Sequence, residues 1–127
     1  MQWGMGVKFS FDNDKPIYIQ LVEQLKNCII SGNIKSGEKL PSVRELAIQA
    51  KVNPNTVQKA LQELEDIELI YTERTNGKFV TNNQSLIEKY KKSYAKELTN
   101  KYILDMKSIG INASHIIEYL KEYGGDK

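Results

Sequence analysis

The stretch PSVRELAIQAKVNPNTVQKALQELE, residues 41–65, decides the fold of this chain. Ser42 and Glu45 have the spacing of a capping box, so a helix is expected to begin after Ser42. That helix is expected to end before Asn53, because a residue that precedes proline is pushed out of the helical region. Asn53 is a good N-cap with Pro54 in the first helical position, so a second helix starts there. The stretch therefore predicts two short helices joined by a tight turn.

The second helix has one apolar and one polar face when its residues are placed on a helical wheel. The positions predicted to face inward are Val57, Ala60, Leu61 and Leu64. The positions predicted to face outward are Asn55, Gln58, Lys59 and Gln62. Polar side chains of this kind can read base edges in the DNA major groove, and the helix start together with the hydroxyl of Thr56 can bind phosphate. An ordinary solvated surface would show the same pattern, and the helix pattern alone does not separate the two interpretations.

Upstream of this stretch the sequence predicts supporting elements. Residues 7–11, VKFSF, are expected to form a short strand or an extended arm. Apolar residues recur at steps of three and four within residues 16–30, which predicts an amphipathic helix ended by Gly32. The segment 33–42 is rich in Gly, Ser and Lys and is expected to be a loop. Cys28 is the only cysteine, so no disulfide can form within the chain, and it is expected to be a buried thiol.

Downstream, two short runs of β-forming residues, 69–73 and 78–80, flank the segment Arg74-Thr75-Asn76-Gly77. Asn-Gly is a strong hairpin turn signal, so a β-hairpin is predicted. A β-hairpin that directly follows a helix-turn-helix is a wing. The expected fold is mainly α-helical with a small β-hairpin wing: a winged helix-turn-helix domain followed by a two-helix C-terminal dimerisation segment.

The C-terminal segment is predicted to contain one long and one short helix. Ser85 and Glu88 have capping-box spacing, and an apolar stripe runs through residues 87–109 before Gly110 ends the helix. A last helix is expected at residues 112–123. Because so small a chain offers the stripe no obvious partner, we expect it to pack against its copy in a homodimer. The alternative is an intramolecular hairpin folded on the winged domain.

The residues expected at the dimer interface are apolar or aromatic. They are Ile87, Tyr90, Tyr94, Leu98, Tyr102, Met106, Ile116 and Leu120. Two helices cannot by themselves enclose a cavity of the size that ligand pockets need. A small-molecule effector, if one acts, is therefore expected at the interface, where Tyr90, Tyr94 and Tyr102 could line a cleft. It would change the separation or tilt of the two DNA-reading helices.

Composition and charge argue against several classes of protein. The formal charge is +2, but residues 1–80 sum to zero, so bulk charge does not favour DNA. No apolar run approaches the ~20 residues of a membrane span, and the start lacks the features of a leader, so a cytoplasmic protein without membrane contact is expected. The only histidine, His115, is expected to be a surface residue. No catalytic, metal or cofactor motif is found, so an enzyme is not expected.

Four motifs together resemble the winged helix-turn-helix domain of GntR-type bacterial transcription regulators. They are PIYIQL at 16–21, the arrangement SGxxxxGxxLPSxREL at 31–46, VNPNTVQKALQELE at 52–65, and a wing that ends in GKFV at 77–80. The segment VNPNTV, followed by a tail of only about 47 residues, is most similar to the short YtrA-like branch of the family.

The resemblance implies a set of DNA contacts. Arg44 corresponds to the family's DNA-contacting arginine, residues 53–58 hold the start of the recognition helix, and the wing tip is implied to enter the minor groove. The family wing usually reads Arg-Gly-x-Gly, whereas Thr75 stands here where the first glycine would be. The full set of predicted DNA-binding residues is Lys39, Ser42, Arg44, Asn53, Asn55, Thr56, Gln58, Lys59, Arg74, Asn76, Gly77 and Lys78.

We therefore expect an N-terminal arm at residues 1–14, a winged helix-turn-helix DNA-binding domain at 15–80 and a helical dimerisation segment at 81–127. The expected function is a homodimeric, sequence-specific DNA-binding regulator of an inverted-repeat operator. The YtrA-like resemblance implies repression of its own operon, often one that encodes an ABC transporter. The alternative is a winged-helix protein-interaction module, which salt dependence distinguishes, since a binder that neutralises phosphates loses affinity steeply with salt.

Overall fold

The computed structural model describes residues 8–125, which contain five helices and a two-stranded antiparallel sheet. The helices are α1 (Ile17–Ser31), α2 (Val43–Ala50), α3 (Pro54–Asp66), α4 (Gln84–Ser108) and α5 (Ala113–Tyr123), and the strands are β1 (Ile70–Glu73) and β2 (Gly77–Val80). The predicted fold, mainly helical with a hairpin wing, is confirmed. The chain divides into two compact units, Met1–Lys89 and Tyr90–Lys127. The predicted domain limits at residues 14 and 80 stay predictions.

Helix α1 forms one wall of the first unit and packs against α3. Its apolar residues at three- and four-residue spacing, Leu21, Leu25 and Ile29, are buried. Gly32 ends the helix with φ of 84°, a left-handed conformation that glycine adopts without strain, and its N–H donates to the Ile29 carbonyl. Cys28 lies at the edge of the apolar face and is half-buried, not buried as predicted. Its partial burial raises the pKa of the thiol.

The segment before α1 is held against the helix by two glutamine side chains. Gln20 is buried, accepts the Asp12 N–H at 3.0 Å and donates to the Lys15 carbonyl at 2.7 Å. Gln24 donates to the Ser10 carbonyl at 2.7 Å and accepts its N–H at 3.1 Å. Residues 8–11 form no strand, so that alternative is excluded for them, whereas residues 1–7, with the start of the predicted arm, lie outside the described part of the chain.

The two-helix unit is built as its local signals predict. The Ser42 hydroxyl accepts the Glu45 N–H at 3.1 Å and the Ser42 N–H donates to the Glu45 carboxylate at 2.9 Å, which confirms the capping box. Lys51 follows α2 in a left-handed conformation with φ of 58°, and this residue turns the chain towards α3. The Asn53 side chain caps α3 by accepting the Asn55 N–H at 2.7 Å.

We expect Ser42→Ala to lower the free energy of unfolding by about 1 kcal/mol, because the Glu45 N–H loses its acceptor. Ser42→Asp keeps an acceptor at the same place and should retain most of the stability. Urea denaturation followed by circular dichroism measures both variants. Equal midpoints for wild type and Ser42→Ala would show that the capping box does not stabilise α2.

The pH dependence of protein stability tests the other half of the capping box, the hydrogen bond from the Ser42 N–H to the Glu45 carboxylate. The N–H and hydroxyl of Ser42 hold the pKa of Glu45 below its ordinary value of 4.5. A carboxyl whose pKa falls on folding stabilises the protein above its unfolded pKa and loses that effect as the pH falls through the folded value. The stability difference between wild type and Glu45→Gln should therefore shrink below about pH 4.5.

The wing is the antiparallel pair of β1 and β2, with Ile70 opposite Val80 and Glu73 opposite Gly77. The turn is the three residues 74–76, one fewer than the predicted four, because Gly77 already pairs with Glu73. Gly77 has φ of 103°, which a residue with a side chain rarely adopts. The hairpin predicted from Asn-Gly is thus formed.

The segment predicted as a loop also contributes to the wing. Lys39 forms a β-bridge with Phe79, and the Leu40 N–H donates to the Lys78 carbonyl at 2.8 Å. The free edge of β2 accepts this pairing because the backbone before Pro41 is extended. The loop prediction is therefore wrong for Lys39, which is fixed beside the wing.

The core of the first unit joins all of these elements. Its fully buried large side chains are Leu21, Leu25, Ile29, Ile34, Leu46, Val57, Leu61, Leu64, Leu69, Ile70 and Val80. The four residues predicted to face inward from α3 are all buried. Burial of this apolar stripe, together with the cap, orients the polar face of α3 outward.

The second unit contains most of α4 and all of α5. The predicted start of α4 at Ser85 is wrong: the helix begins at Gln84, and Asn83 caps it by accepting the Leu86 N–H at 3.1 Å. Gly110 follows the helix with φ of 88°. Asn112 caps α5 by accepting the His115 N–H at 3.2 Å.

Candidate nucleic-acid interface

The outward face of α3 is the centre of the candidate interface. Asn55, Gln58, Lys59 and Gln62 are all exposed, as predicted, and Thr56 is half-buried. The N-terminus of α3 has few free backbone N–H groups, because Pro54 has none, the Asn53 side chain accepts the Asn55 N–H, and the Thr56 N–H donates to the Asn53 carbonyl at 2.9 Å. This end of α3 can therefore offer amide side chains to base edges and the Thr56 hydroxyl to a phosphate.

Two of these outward side chains have partners within the chain. The Lys59 ammonium lies 3.8 Å above the centre of the Tyr18 ring, a cation–π contact with α1. Gln62 donates to the Asp66 carboxylate at 2.9 Å, one turn further along the helix. The amides of Asn55 and Gln58, nearer the N-terminus, are thus the better placed to read bases. Tyr18 is not among the predicted site residues, because its contact with Lys59 depends on how α1 packs against α3.

Helix α2 adds Arg44, which lies in its first turn and is exposed. Within residues 8–125 Arg44 forms no ion pair, so its five N–H donors are available to an external acceptor. Ser42 and Asn53 cap α2 and α3 through their side-chain oxygens, and their predicted contacts with DNA stay predictions. These caps set where the two helices begin.

The remaining predicted DNA-binding residues lie in the wing or beside it. Arg74 is exposed in the turn, and the Lys39 side chain runs close to Gly77, since a Cβ built on Gly77 would lie 3.3 Å from Lys39 Cε. Asn76 donates to the Glu73 carboxylate at 3.0 Å and stabilises the turn. Lys78 differs from Lys39 and Arg74, because its ammonium forms an ion pair with the Glu65 carboxylate at 3.0 Å.

The predicted dimer residues fall into covered and uncovered groups. Ile87 is 8% exposed and Ile116 is 5% exposed, so each is already buried by its own chain. Leu98 is 51% exposed and Leu120 is 53% exposed, while Tyr94 is 36% exposed. The half-buried members are Tyr90, Tyr102 and Met106. The uncovered members leave an apolar surface on α4 and α5.

A hollow of about 460 Å³ lies between the end of α4 and α5 in the second unit. It is lined by Tyr102, Met106, Ile109, Ile111, Tyr119, Leu120, Tyr123 and Gly124. Of the three tyrosines predicted to line an effector cleft, only Tyr102 lines this hollow. Its lining is largely apolar and aromatic.

Among residues 8–125 no group of three or more His, Cys, Asp and Glu side chains is arranged to hold a metal ion. His115 lies exposed in α5, as predicted. None of the helices in the same range is long and apolar enough to cross a membrane.

Comparison with known proteins gives consistent similarities. Residues 17–80 match the family described as bacterial regulatory proteins, gntR family. The chain is similar to the HTH-type transcriptional repressor YtrA of Bacillus subtilis (strain 168), with 38% identity over 112 residues that cover 87% of this chain and 86% of YtrA. Its fold is similar to a GntR family transcriptional regulator from Listeria monocytogenes, with a TM-score of 0.81 and 45% identity over 88% of this chain and 98% of that one.

A fourth similarity is to a structure solved with DNA. The DNA-binding domain of AraR, crystallised in complex with an operator, matches with a TM-score of 0.54 and 29% identity. The match covers 59% of this chain and 96% of that domain.

Proposed function

This chain belongs to the gntR family of bacterial regulatory proteins, and from that premise we propose that it works as a homodimer that represses its own operon by occupying an inverted-repeat operator. As a family member it is a sequence-specific DNA-binding transcription regulator and not an enzyme. One observation carries the DNA-binding part of the proposal: α3 buries its apolar face completely and leaves Asn55 and Gln58 exposed, while Arg44 is exposed on the helix packed against it.

Each exposed group has a proposed role on DNA. Asn55 and Gln58 read base edges in the major groove, and Arg44 binds a guanine edge or a phosphate. The positive end of the α3 dipole, together with the Thr56 hydroxyl, binds phosphate. Lys39, Arg74 and the residues of the wing turn approach the minor groove. Lys59 contributes positive charge from the side of α3 that faces Tyr18.

Pairing of two chains is proposed because one recognition helix reads too few bases for tight site selection. Tyr94, Leu98 and Leu120 are exposed in the single chain and supply the apolar surface for that pairing. Ile87 and Ile116 are omitted from the proposed interface because they are covered within the chain. An effector with an apolar or aromatic body, bound in the hollow beside Tyr102, would alter the spacing of the two recognition helices.

Repression needs only occupancy of a promoter, and the similar protein YtrA is named a repressor. The chain's own operon, with an ABC transporter among its genes, is the proposed target. A cytoplasmic location is proposed because the target is chromosomal DNA.

The experiment that tests the proposal begins by enriching duplexes from a random library on the purified chain. The enriched duplex is then compared with the chain's own promoter by fluorescence anisotropy across a salt series, and the size of the complex is measured by sedimentation. We expect an inverted repeat in both duplexes, two chains per duplex and an affinity that falls steeply with salt. Failure to enrich any duplex, or binding that is insensitive to salt, would favour the protein-interaction module instead.

Lys59→Ala should mainly flatten the salt dependence of binding. Loss of one phosphate-neutralising charge reduces the slope of log affinity against log salt by about 1. The measurement is a salt series on the enriched duplex, with Lys121→Ala as a matched control that removes the same charge from α5. An unchanged slope for Lys59→Ala would show that the Lys59 ammonium contacts Tyr18 and does not contact DNA.

A further inference from the structure

Lys78 on β2 was predicted to contact DNA, but its ammonium is held inside the first unit. Lys78 Nζ lies 3.0 Å from Glu65 Oε1 and donates to the Thr72 hydroxyl at 2.8 Å. The Thr72 hydroxyl in turn lies 3.0 Å from Glu65 Oε2 and 3.1 Å from Oε1. The three side chains close a ring of charge-assisted hydrogen bonds, which are stronger than neutral ones.

This ring is better protected from solvent than the ion pairs Lys15–Glu23 and Lys101–Asp105. The side chains of Lys78 and Glu65 are 28% and 31% exposed, whereas those of the other two pairs are all more than half exposed. Partial burial reduces screening by water and salt, so this pair can hold a fixed geometry where surface pairs contribute little.

The ring joins two elements that carry different parts of the DNA interface. Glu65 lies in the last turn of α3, while Thr72 and Lys78 face each other across the wing. The backbone connection between them passes through Glu68, which has φ of 66°, a left-handed conformation disfavoured for a residue with a side chain. Rotation of the hairpin about this connection would swing the wing tip, and the ring opposes that rotation.

We propose that Glu65, Thr72 and Lys78 are positioning residues that fix the angle between the recognition helix and the wing, and that Lys78 therefore acts without contacting DNA. The inference rests on the proposed wing contact with the minor groove. In this arrangement the acidic residue Glu65 strengthens DNA binding, because it orients the wing more than it repels phosphate.

The ring of Glu65, Thr72 and Lys78 is called the tether. Whether Glu65→Gln raises or lowers the affinity for DNA distinguishes a tether from a direct DNA contact by Lys78. If the ring aims the wing, Glu65→Gln and Lys78→Met each weaken binding to the enriched duplex about three- to fivefold, the effect of a partly exposed pair, and the double variant is no weaker than either. The alternative is that Lys78 moves away from Glu65 and binds a phosphate of the DNA. In that case the Glu65→Gln variant binds DNA more tightly, and Lys78→Met reduces the slope of log affinity against log salt by about 1. Tighter binding, a reduced slope or no effect would each overturn the proposal.

The charge-swapped pair adds a rescue that a contact role does not permit. Glu65→Lys and Lys78→Glu should each weaken binding, and the two together should restore affinity to within about twofold of wild type, since a reversed pair re-forms the tether. Hydrogen exchange on the free protein gives a readout independent of DNA. Glu65→Gln should speed exchange of the wing amides and leave those of α3 unchanged. Unchanged wing exchange would count against the tether.

Arg74→Ala separates failure of the tether from failure of the wing contact. Arg74 lies in the wing turn and takes no part in the ring, so its removal tests the wing contact alone. If Arg74→Ala weakens binding and Glu65→Gln does not, the tether is wrong and the proposed function stands. If neither variant changes affinity, the wing does not contact DNA and the tether is overturned with it.

Discussion

Replacing Leu98 with glutamate should convert the regulator to a monomer and weaken binding to the full operator by about 10²- to 10⁴-fold, the gain that joining two binding modules commonly supplies. Leu98 is 51% exposed on α4, and burial of a leucine side chain contributes about 1.5–3 kcal/mol. A glutamate at the same place would have to lose its hydration or hold the two surfaces apart. Leu120→Glu on α5, 53% exposed, should act in the same way.

The matched control is Asn100→Glu, which adds the same charge to the same helix. Asn100 is exposed and lies about 200° around the helix from Leu98, so the substitution leaves the apolar surface intact. Sedimentation velocity at micromolar concentration gives the association state, and anisotropy on full and half operators gives the affinity. The proposed interface would be wrong if Leu98→Glu remained dimeric, or if the wild-type chain were a monomer under these conditions. Equal half-site affinities of wild type and variant would confirm that the fold is preserved.

Arg44→Ala should weaken operator binding by about 1–3 kcal/mol if the guanidinium makes a paired contact with a base. Arg44 is exposed and without an ion pair in the described residues, so its removal should leave folding unchanged. Gln58→Ala is expected to have an effect of the same size, from the neighbouring helix. Gel-shift titration on the enriched duplex and on single-base variants measures both the loss and its dependence on sequence.

Two further substitutions decide what kind of contact Arg44 makes. Arg44→Lys keeps the charge but loses the planar pair of donors, so it should recover phosphate binding and not base discrimination. Gln49→Ala is the control, since Gln49 is exposed on the same helix about 140° away from Arg44. Unchanged affinity in both Arg44→Ala and Gln58→Ala would contradict the whole contact map.

Local signals predicted the two-helix unit well because they act over a few residues. The capping box of Ser42 and Glu45, and the Asn53 cap before Pro54, are each complete within four residues. Contacts between distant segments were not predictable in this way. Ser85 and Glu88 also have capping-box spacing, yet Asn83 caps α4. Several residues near a helix start can have the right spacing, and the spacing alone does not show which of them is the cap.

Taken alone, the sequence determined the helices, the hairpin wing and the polar face of α3, since periodicity and capping depend on neighbours along the chain. Only the tertiary structure decided which of the predicted DNA-binding side chains remain free to contact DNA. Tyr18 binds Lys59 and Glu65 binds Lys78 across elements far apart in sequence. These pairings depend on how α1, α3 and the wing pack, and burial of the shared apolar core sets that packing.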